Sequence, residues 1–269
     1  MKHILLMFLI AVMGCTSQRY NLSENQTSGF YFSTSSGGVY QYDGTISKVS
    51  GLNVNSIESL QEENVFATTQ TALSFIGINN DKKQFIEVDD RIVVSTISND
   101  QMKTFYVNQE GQLKIYHNQT QLVEDLGVQL FPLPKQLIFS ERYQKLIYHD
   151  QQNIFEIHVS SKFRQKVTKK IFPINSIAFD ENMNDIYFST STNGRIYRIN
   201  LGTHYLYSIH HSVSVNGSSI AYDKHQHTLY FSRGNGRDTQ VKCIDLDTKD
   251  EHLVTTLYNT AYIKNLRLR

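Results

Sequence analysis

Few residues in this chain are spaced as a catalytic or metal-binding site requires. His225 and His227 could supply two metal ligands, but a zinc site needs at least one more, and the sequence suggests no third. His210, His211 and Ser212 are consecutive, yet the chain has no Gly-x-Ser-x-Gly motif, which would expose a serine nucleophile. We interpret residues 225–227 as an exposed hairpin turn, and we predict no catalytic residue, no metal and no cofactor.

Asp180 and Asp223 occupy the same position in two related stretches of the sequence. A carboxylate that recurs in this way could take part in metal binding or acid–base catalysis. An Asp at the end of a strand also starts a turn, because its side chain accepts hydrogen bonds from nearby backbone N–H groups. We therefore interpret both residues as structural.

The two stretches that hold these residues are copies of a repeat. One copy covers residues 177–201 and the next covers residues 220–246, and their first residues are 43 positions apart. Each copy contains short runs rich in Tyr, Phe, Ile and Val, separated by Asn, Asp, Gly and Ser, which is typical of strands and turns. A β repeat of about 40–45 residues with several strands is typical of a propeller blade.

The second strand of each copy can be followed back through the whole chain. Its six occurrences begin at Phe30, Asn64, Thr104, Lys145, Asp185 and Thr228. Six units of four strands leave no room for another domain. We predict an all-β fold, a single six-bladed β-propeller with four-stranded blades over residues 30–269.

The C-terminal residues 260–268 resemble the first strand of a further unit. The first unit, in turn, starts too near the N-terminus to have a complete inner strand of its own. We predict that the C-terminal strand is the inner strand of blade 1 and closes the ring, which removes two open sheet edges. The alternative is a frayed tail.

Residues 1–14 have a basic start, about ten apolar residues and a small residue at Gly14. This pattern is typical of a secretory signal peptide and is too short for a membrane-spanning helix. Residues 15–29 then form an N-terminal tether. We predict a secreted, extracellular protein without a membrane span.

The chain has two cysteines, Cys15 and Cys243, and two interpretations of Cys15 remain open. It can form a disulfide with Cys243, which an extracellular compartment permits. Alternatively, residues 12–15 form a bacterial lipobox and a lipid on Cys15 anchors the protein. Four sequons predict glycosylation if the protein is a eukaryotic secretory one, at Asn21, Asn25, Asn118 and Asn216.

The charges exclude some classes of partner. The 26 Lys and Arg and the 25 Asp and Glu are interspersed and give a net charge of +1. A nucleic-acid-binding protein usually carries a basic patch, so we predict no nucleic-acid partner. A local cluster of Lys and Arg over residues 162–170 is interpreted as a solvated outer strand. We expect a monomer.

One face of a propeller carries the loops between second and third strands and the links between blades, and we call it the loop face. Such loops commonly form the binding site. Aromatic side chains there could form an apolar slot, and arginines could bind a carboxylate. The predicted ligand-binding residues are Arg91, Phe131, Phe172, Arg233, Arg237 and Tyr258. In the link 127–134, Leu130 and Leu133 could line a pocket or pack on their own blade.

Three resemblances bear on function. The aromatic second strands, such as Tyr187-Phe-Ser-Thr, resemble the Tyr-Trp-Thr-Asp repeat of a family of six-bladed propellers, although the Trp and the Asp are replaced. Residues 187–189 (Tyr-Phe-Ser) and 194–198 (Gly-Arg-Ile-Tyr-Arg), with the leader and the length, resemble the insect ommochrome-binding proteins. That resemblance implies a carrier of a tryptophan-derived pigment. Glu58, Asn175 and Asn216 invite comparison with gluconolactonase-like calcium propellers.

The sequence thus predicts a secreted, non-enzymatic carrier for a small aromatic or amphipathic molecule, with an ommochrome pigment as the ligand that the resemblance implies. A calcium-dependent lactonase or esterase is one alternative. A protein-interaction propeller, lipid-anchored through Cys15 in a bacterium, is the other.

Overall fold

The structure is a computed structural model that describes residues 29–59, 64–77, 83–88, 90–168, 173–211, 218–260 and 262–269. These residues form 24 strands in six antiparallel, four-stranded sheets. The predicted propeller is confirmed, because the inner strand of each sheet contacts the inner strand of the next around a closed ring. The second strands start within one residue of their predicted positions, at Phe30, Asn64, Lys103, Lys145, Asp185 and Thr228.

Each blade is a meander whose strands run outward from the central axis. Blades 1 to 3 contain β1 (Phe30–Thr34), β2 (Val39–Tyr42) and β3 (Ile46–Ser50); β4 (Ser56–Ser59), β5 (Asn64–Thr68), β6 (Ala72–Gly77) and β7 (Lys83–Glu87); and β8 (Ile92–Ile97), β9 (Lys103–Asn108), β10 (Gln112–His117) and β11 (Leu122–Gln129).

Blades 4 to 6 repeat this arrangement. They contain β12 (Gln136–Ser140), β13 (Lys145–His149), β14 (Ile154–His158) and β15 (Arg164–Lys166); β16 (Ile174–Asp180), β17 (Asp185–Thr190), β18 (Arg195–Asn200) and β19 (Leu206–His211); and β20 (Ile220–Asp223), β21 (Thr228–Gly234), β22 (Thr239–Asp245) and β23 (Glu251–Leu257).

The last strand, β24 (Ile263–Leu268), closes the ring as predicted. It pairs antiparallel with β1, so that Leu268 lies opposite Phe30 and Leu266 opposite Phe32. Blade 1 is therefore the sheet β24-β1-β2-β3 and contains both ends of the propeller. At this seam the backbone N–H of Arg269 donates to the carbonyl of Gly29 at 2.8 Å.

The core lies between the blades because successive side chains of a strand point to opposite faces of its sheet. On β13, Leu146 and Tyr148 pack in a cluster with residues of blade 3, whereas Ile147 packs with residues of blade 5. Strands that are buried on both faces therefore need apolar residues at consecutive positions. The outermost strands, such as β3 and β19, are largely exposed.

The turns after the inner strands follow the interpretation given to their aspartates. Oδ1 of Asp180 accepts the backbone N–H groups of Asn182 and Met183, at 3.0 and 3.3 Å. Oδ1 of Asp223 accepts those of His225 and Gln226, at 2.8 and 3.2 Å. Both carboxylates organise the turn to the second strand, and His225 lies in that turn with an exposed side chain.

Candidate functional site

The five described members of the predicted ligand-binding set come from three separate places on the loop face. Arg91 precedes β8, Phe131 follows β11, and Arg233, Arg237 and Tyr258 belong to blade 6 or to the link that leaves it. Phe172 lies outside the described residues. The three blade 6 residues are neighbours along one hairpin and its link, where the N–H of Asn259 donates to Asp238 at 2.8 Å. Ligand binding by the six residues stays a prediction.

The link between blades 3 and 4 packs against the core between these two blades. Leu130 is fully buried in the core cluster between these blades, and Leu133 packs against the same cluster. Phe131 is 55% exposed. Its ring covers Gly111, where an added Cβ would lie 3.0 Å from the ring. Two of the three apolar residues in this link therefore belong to the core, and only Phe131 is available to a ligand.

A depression of about 420 Å³ lies on the opposite face, at the mouth of the central channel. It is formed by the ends of the inner strands of blades 4 to 6, by the turns that follow the inner strands of blades 3, 5 and 6, and by the end of β24. We call it the central depression. The prediction of a site on the loop face did not include its residues, which lie at the ends of inner strands and in the turns between first and second strands.

The walls of the central depression are aromatic. Phe139, Phe179 and Tyr222 come from the inner strands of three successive blades and line it together. Each ring is half-buried and is supported by another ring from behind. The supporting pairs are Phe139 with Phe105, Phe179 with Tyr143 and Tyr222 with Tyr187, with centroids 4.5, 6.4 and 5.1 Å apart. Leu268 completes the apolar lining.

Charged groups surround these rings. The lining contains charged residues of both signs. The acidic ones are Asp180, Glu181 and Asp223, and the basic ones are Lys224 and Arg269. Burial and the nearby carboxylate of Asp180 raise the pKa of Tyr222, so this hydroxyl stays protonated. The central depression therefore combines three aromatic walls with charges of both signs.

An ion pair joins the inner strands of blades 1 and 2, close to the end of β24. Arg267 on β24 donates from Nε and Nη2 to the carboxylate of Glu58 on β4, at 2.7 and 3.3 Å. Glu58, which the sequence suggested as a calcium ligand, is thus engaged by an arginine. Among the described residues, no group of three His, Cys, Asp or Glu side chains is placed to hold a metal ion.

The remaining predicted sites are only partly described. Cys243 is buried on β22, and burial raises the pKa of its thiol. Cys15 lies outside the described residues, as do Asn21, Asn25 and Asn216. Asn118 is partly buried, and its Nδ2 donates to the carbonyl of Gln101 at 2.6 Å. The disulfide and glycosylation stay predictions. Within the described part of the chain no helix has the length and apolar character needed to cross a membrane.

Comparison with known proteins yields structural likeness only. No protein-family model matches the sequence, and no curated protein matches it. A propeller in the crystal structure of a nidogen/laminin complex is similar, with a TM-score of 0.73 and 11% identity, covering 89% of this chain and 97% of the other. TolB from Acinetobacter baumannii has a TM-score of 0.69 and 7% identity, over 89% of this chain and 66% of TolB. At these identities the likeness supports the propeller fold and nothing finer.

Proposed function

We propose that this propeller is a non-enzymatic binding protein that holds a small aromatic molecule in the central depression. The observation that carries the proposal is the set of three ring walls, Phe139, Phe179 and Tyr222, around a depression of about 420 Å³. Pockets for small molecules commonly measure about 300–1,000 Å³ and are mostly apolar with a few polar groups. The volume suits a ligand with two or three fused rings, which the three aromatic walls would contact, while most of the other lining residues are polar or charged.

The support behind the three rings matters for affinity. Each ring packs on a second aromatic side chain, at centroid distances of 4.5 to 6.4 Å. Such pairs hold their geometry without a ligand, so little side-chain freedom is lost on binding. A ligand ring placed among them gains aromatic contacts worth about 0.5–1.5 kcal/mol each beyond the apolar area that it buries.

The ommochrome pigment and the secreted carrier role are the finer part of this proposal. They rest on the sequence resemblance and on the pattern of residues 1–14. The resembling residues Tyr187 and Arg198 are structural here, since Tyr187 is buried and Arg198 pairs with Asp185 at 2.5 Å. A pigment such as xanthommatin is therefore one ligand to titrate among other fused-ring compounds.

The test compares the two faces of the propeller. Binding of a neutral fluorescent compound, 2-naphthamide, and of xanthommatin is measured by fluorescence anisotropy and absorbance. Phe179→Leu removes a wall of the central depression, Arg233→Ala changes the loop face, and Lys166→Ala changes the exposed end of β15. We expect Phe179→Leu to weaken binding about twofold to tenfold, with little change in the other two. Unchanged melting of each variant excludes an effect of misfolding.

A different outcome would favour the loop face. Tyr258 is 75% exposed, and Arg233 and Arg237 are exposed beside it on blade 6. Tyr and Arg are the residue types that most often dominate binding at protein surfaces. If Arg233→Ala weakens binding and Phe179→Leu does not, the central depression is not the site. The loop face then becomes the binding surface, for this ligand or for a protein partner.

A further inference from the structure

One position in the blades changes its charge around the ring. In four of the blades the last residue of the inner strand pairs with the first residue of the second strand. The position meant here is the residue directly after that last residue of the inner strand. The paired residues in blades 4, 5, 6 and 1 are Ser140 with Lys145, Asp180 with Asp185, Asp223 with Thr228 and Leu268 with Phe30. The residue that follows is Glu in blades 4 and 5, Lys in blade 6 and Arg in blade 1. We call it the rim position.

In blades 4 and 5 the rim glutamate supports the turn of the preceding blade. Glu141 accepts the backbone N–H of Asn99 in blade 3, at 3.0 Å. Glu181 accepts the N–H of Arg142 and the hydroxyl of Ser140 in blade 4, at 2.8 and 2.6 Å. A serine directly follows the inner strand of blade 3, and a serine is the last residue of the inner strand of blade 4. Because the serine side chain is short, one backbone N–H of the turn remains free to donate to the glutamate of the next blade.

The support is no longer required after blade 5. Blades 5 and 6 have an aspartate in place of that serine, and each aspartate accepts two N–H groups of its own turn. The N–H of Asn182, which corresponds to that of Arg142, donates to Asp180 at 3.0 Å. A side chain at the rim position of blade 6 is therefore not needed to accept a backbone N–H from the turn of blade 5, and a lysine can occupy this position.

Lys224 faces the central depression without a counter-ion. It lines the depression, its residue is exposed, and it forms no ion pair with another described residue. The nearby carboxylates are engaged differently. Asp180, Glu181 and Asp223 each accept hydrogen bonds from the turns. These three carboxylates therefore have hydrogen-bond donors, whereas the ammonium of Lys224 forms no hydrogen bond and no ion pair with another described residue.

We propose that the aromatic ligand of the central depression carries an ionised carboxylate, which Lys224 binds beside the rings of Phe179 and Tyr222. The inference rests on the proposed function and adds the class of ligand to it. Arg269, at the rim position of blade 1, lines the same depression and adds a second positive charge. Because Lys224 is exposed, the contribution of this charge falls as salt is added.

The experiment uses three ligands with the same rings, 2-naphthoate, 2-naphthamide and 2-naphthylmethylammonium. Their affinities are measured in low and high salt for the wild type, for Lys224→Met and for the control Lys166→Met, which removes an exposed lysine of β15. We expect the wild type to bind 2-naphthoate about twofold to fivefold more tightly than the amide in low salt, because an exposed ion pair contributes at most about 1 kcal/mol. Lys224→Met should abolish that preference and leave binding of the amide unchanged, while Lys166→Met should change neither.

The outcomes separate this inference from the proposed function. If the carboxylate and the amide bind equally well, or if Lys224→Met keeps the preference, the inference is overturned and the aromatic site stands. Tighter binding of the ammonium compound overturns it as well and assigns the site to cations through Asp180 and Asp223. If none of the three ligands binds the wild type, both the proposed function and the inference fail.

Discussion

His149 is an ionisable residue that the fold keeps neutral. It lies two residues after Ile147 on β13 and therefore points to the same side of the blade, toward blade 5. Its side chain is fully buried, its Nδ1 accepts the N–H of Gln151 at 3.3 Å, and its Nε2 has no partner. Burial lowers the pKa of His149 to about 3, although Asp150 raises it; Lys135 lowers it further.

This burial predicts a pH dependence of stability. In the unfolded chain His149 titrates near 6.5, whereas in the folded protein it stays neutral down to about pH 3. Between these values the unfolded state binds one more proton, so the free energy of unfolding decreases as the pH falls. From pH 7 to pH 5 we expect His149 to account for a loss of about 2 kcal/mol.

The measurement is denaturant unfolding at pH 7 and pH 5 of the wild type and of His149→Gln, whose amide can still accept the N–H of Gln151. We expect the variant to lose less stability on acidification than the wild type, by the amount above. His225→Asn, at an exposed histidine in a turn, is the matched control. Equal losses in the wild type and in His149→Gln would contradict the assignment.

At the scale of residues, the sequence predicted contacts within a turn and missed contacts between blades. The role of Asp180 and Asp223 followed from their place at the end of a strand, because an Asp there bonds to N–H groups two and three residues later. The role of Glu181 was not predictable in the same way. It accepts a hydrogen bond from Arg142, 39 residues earlier in the chain, so only the arrangement of the blades brings the two together.

At the scale of elements, β24 is the strand on which the ring depends. It supplies the inner edge of blade 1 and contacts the inner strands of blades 2 and 6. Leu266 on this strand is fully buried in the cluster between blades 6 and 1. The strand was predictable because its alternating residues had no other place in the count of blades, and its pairing partner was the incomplete unit at residue 30.

Two changes test the closure. Leu266→Ala removes a fully buried side chain and should lower the free energy of unfolding by about 2–5 kcal/mol, while Tyr262→Ala, at a largely exposed residue before β24, should have little effect. Deletion of residues 260–269 leaves β1 with an open edge, and we expect loss of a cooperative thermal transition. A truncated protein that melts like the wild type would show that β24 is not needed for closure.

The link 127–134 shows where prediction from elements ends. Its apolar residues suited both a pocket and the core, and no pattern in the link itself distinguished the two. The contact of Phe131 with Gly111 and the burial of Leu130 depend on the hairpin between β9 and β10 and on blade 4. Such contacts are set by tertiary packing.

At the scale of the whole molecule, the repeat predicted the number of blades but could not identify the binding face. All six blades share one pattern, and a propeller has loops on both faces. The loop face was chosen because the loops of this face commonly form the binding site. The central depression depends on which side chains five different blades bring to one point, and the repeat does not show which of its positions share a cavity.

The closed ring also predicts that the chain can be permuted. A variant that joins Arg269 to Gly29 through a short Gly-Ser linker and starts at Arg237 opens the turn at Gly236, around which there is free space. We expect cooperative melting close to that of a linear control of residues 29–269, since the joined ends already share a hydrogen bond of 2.8 Å. An insoluble permutant beside a folded control would contradict this prediction.

The seam between Gly29 and Arg269 also determines on which face of the propeller the described chain begins. Gly29 lies on the face of the central depression, because Arg269 lines that depression and bonds to Gly29. A lipid on Cys15 would hold this face toward the membrane, within a reach of about 50 Å. A ligand would then exchange directly with the bilayer surface, while Tyr258 and the loop face would point to the surrounding fluid.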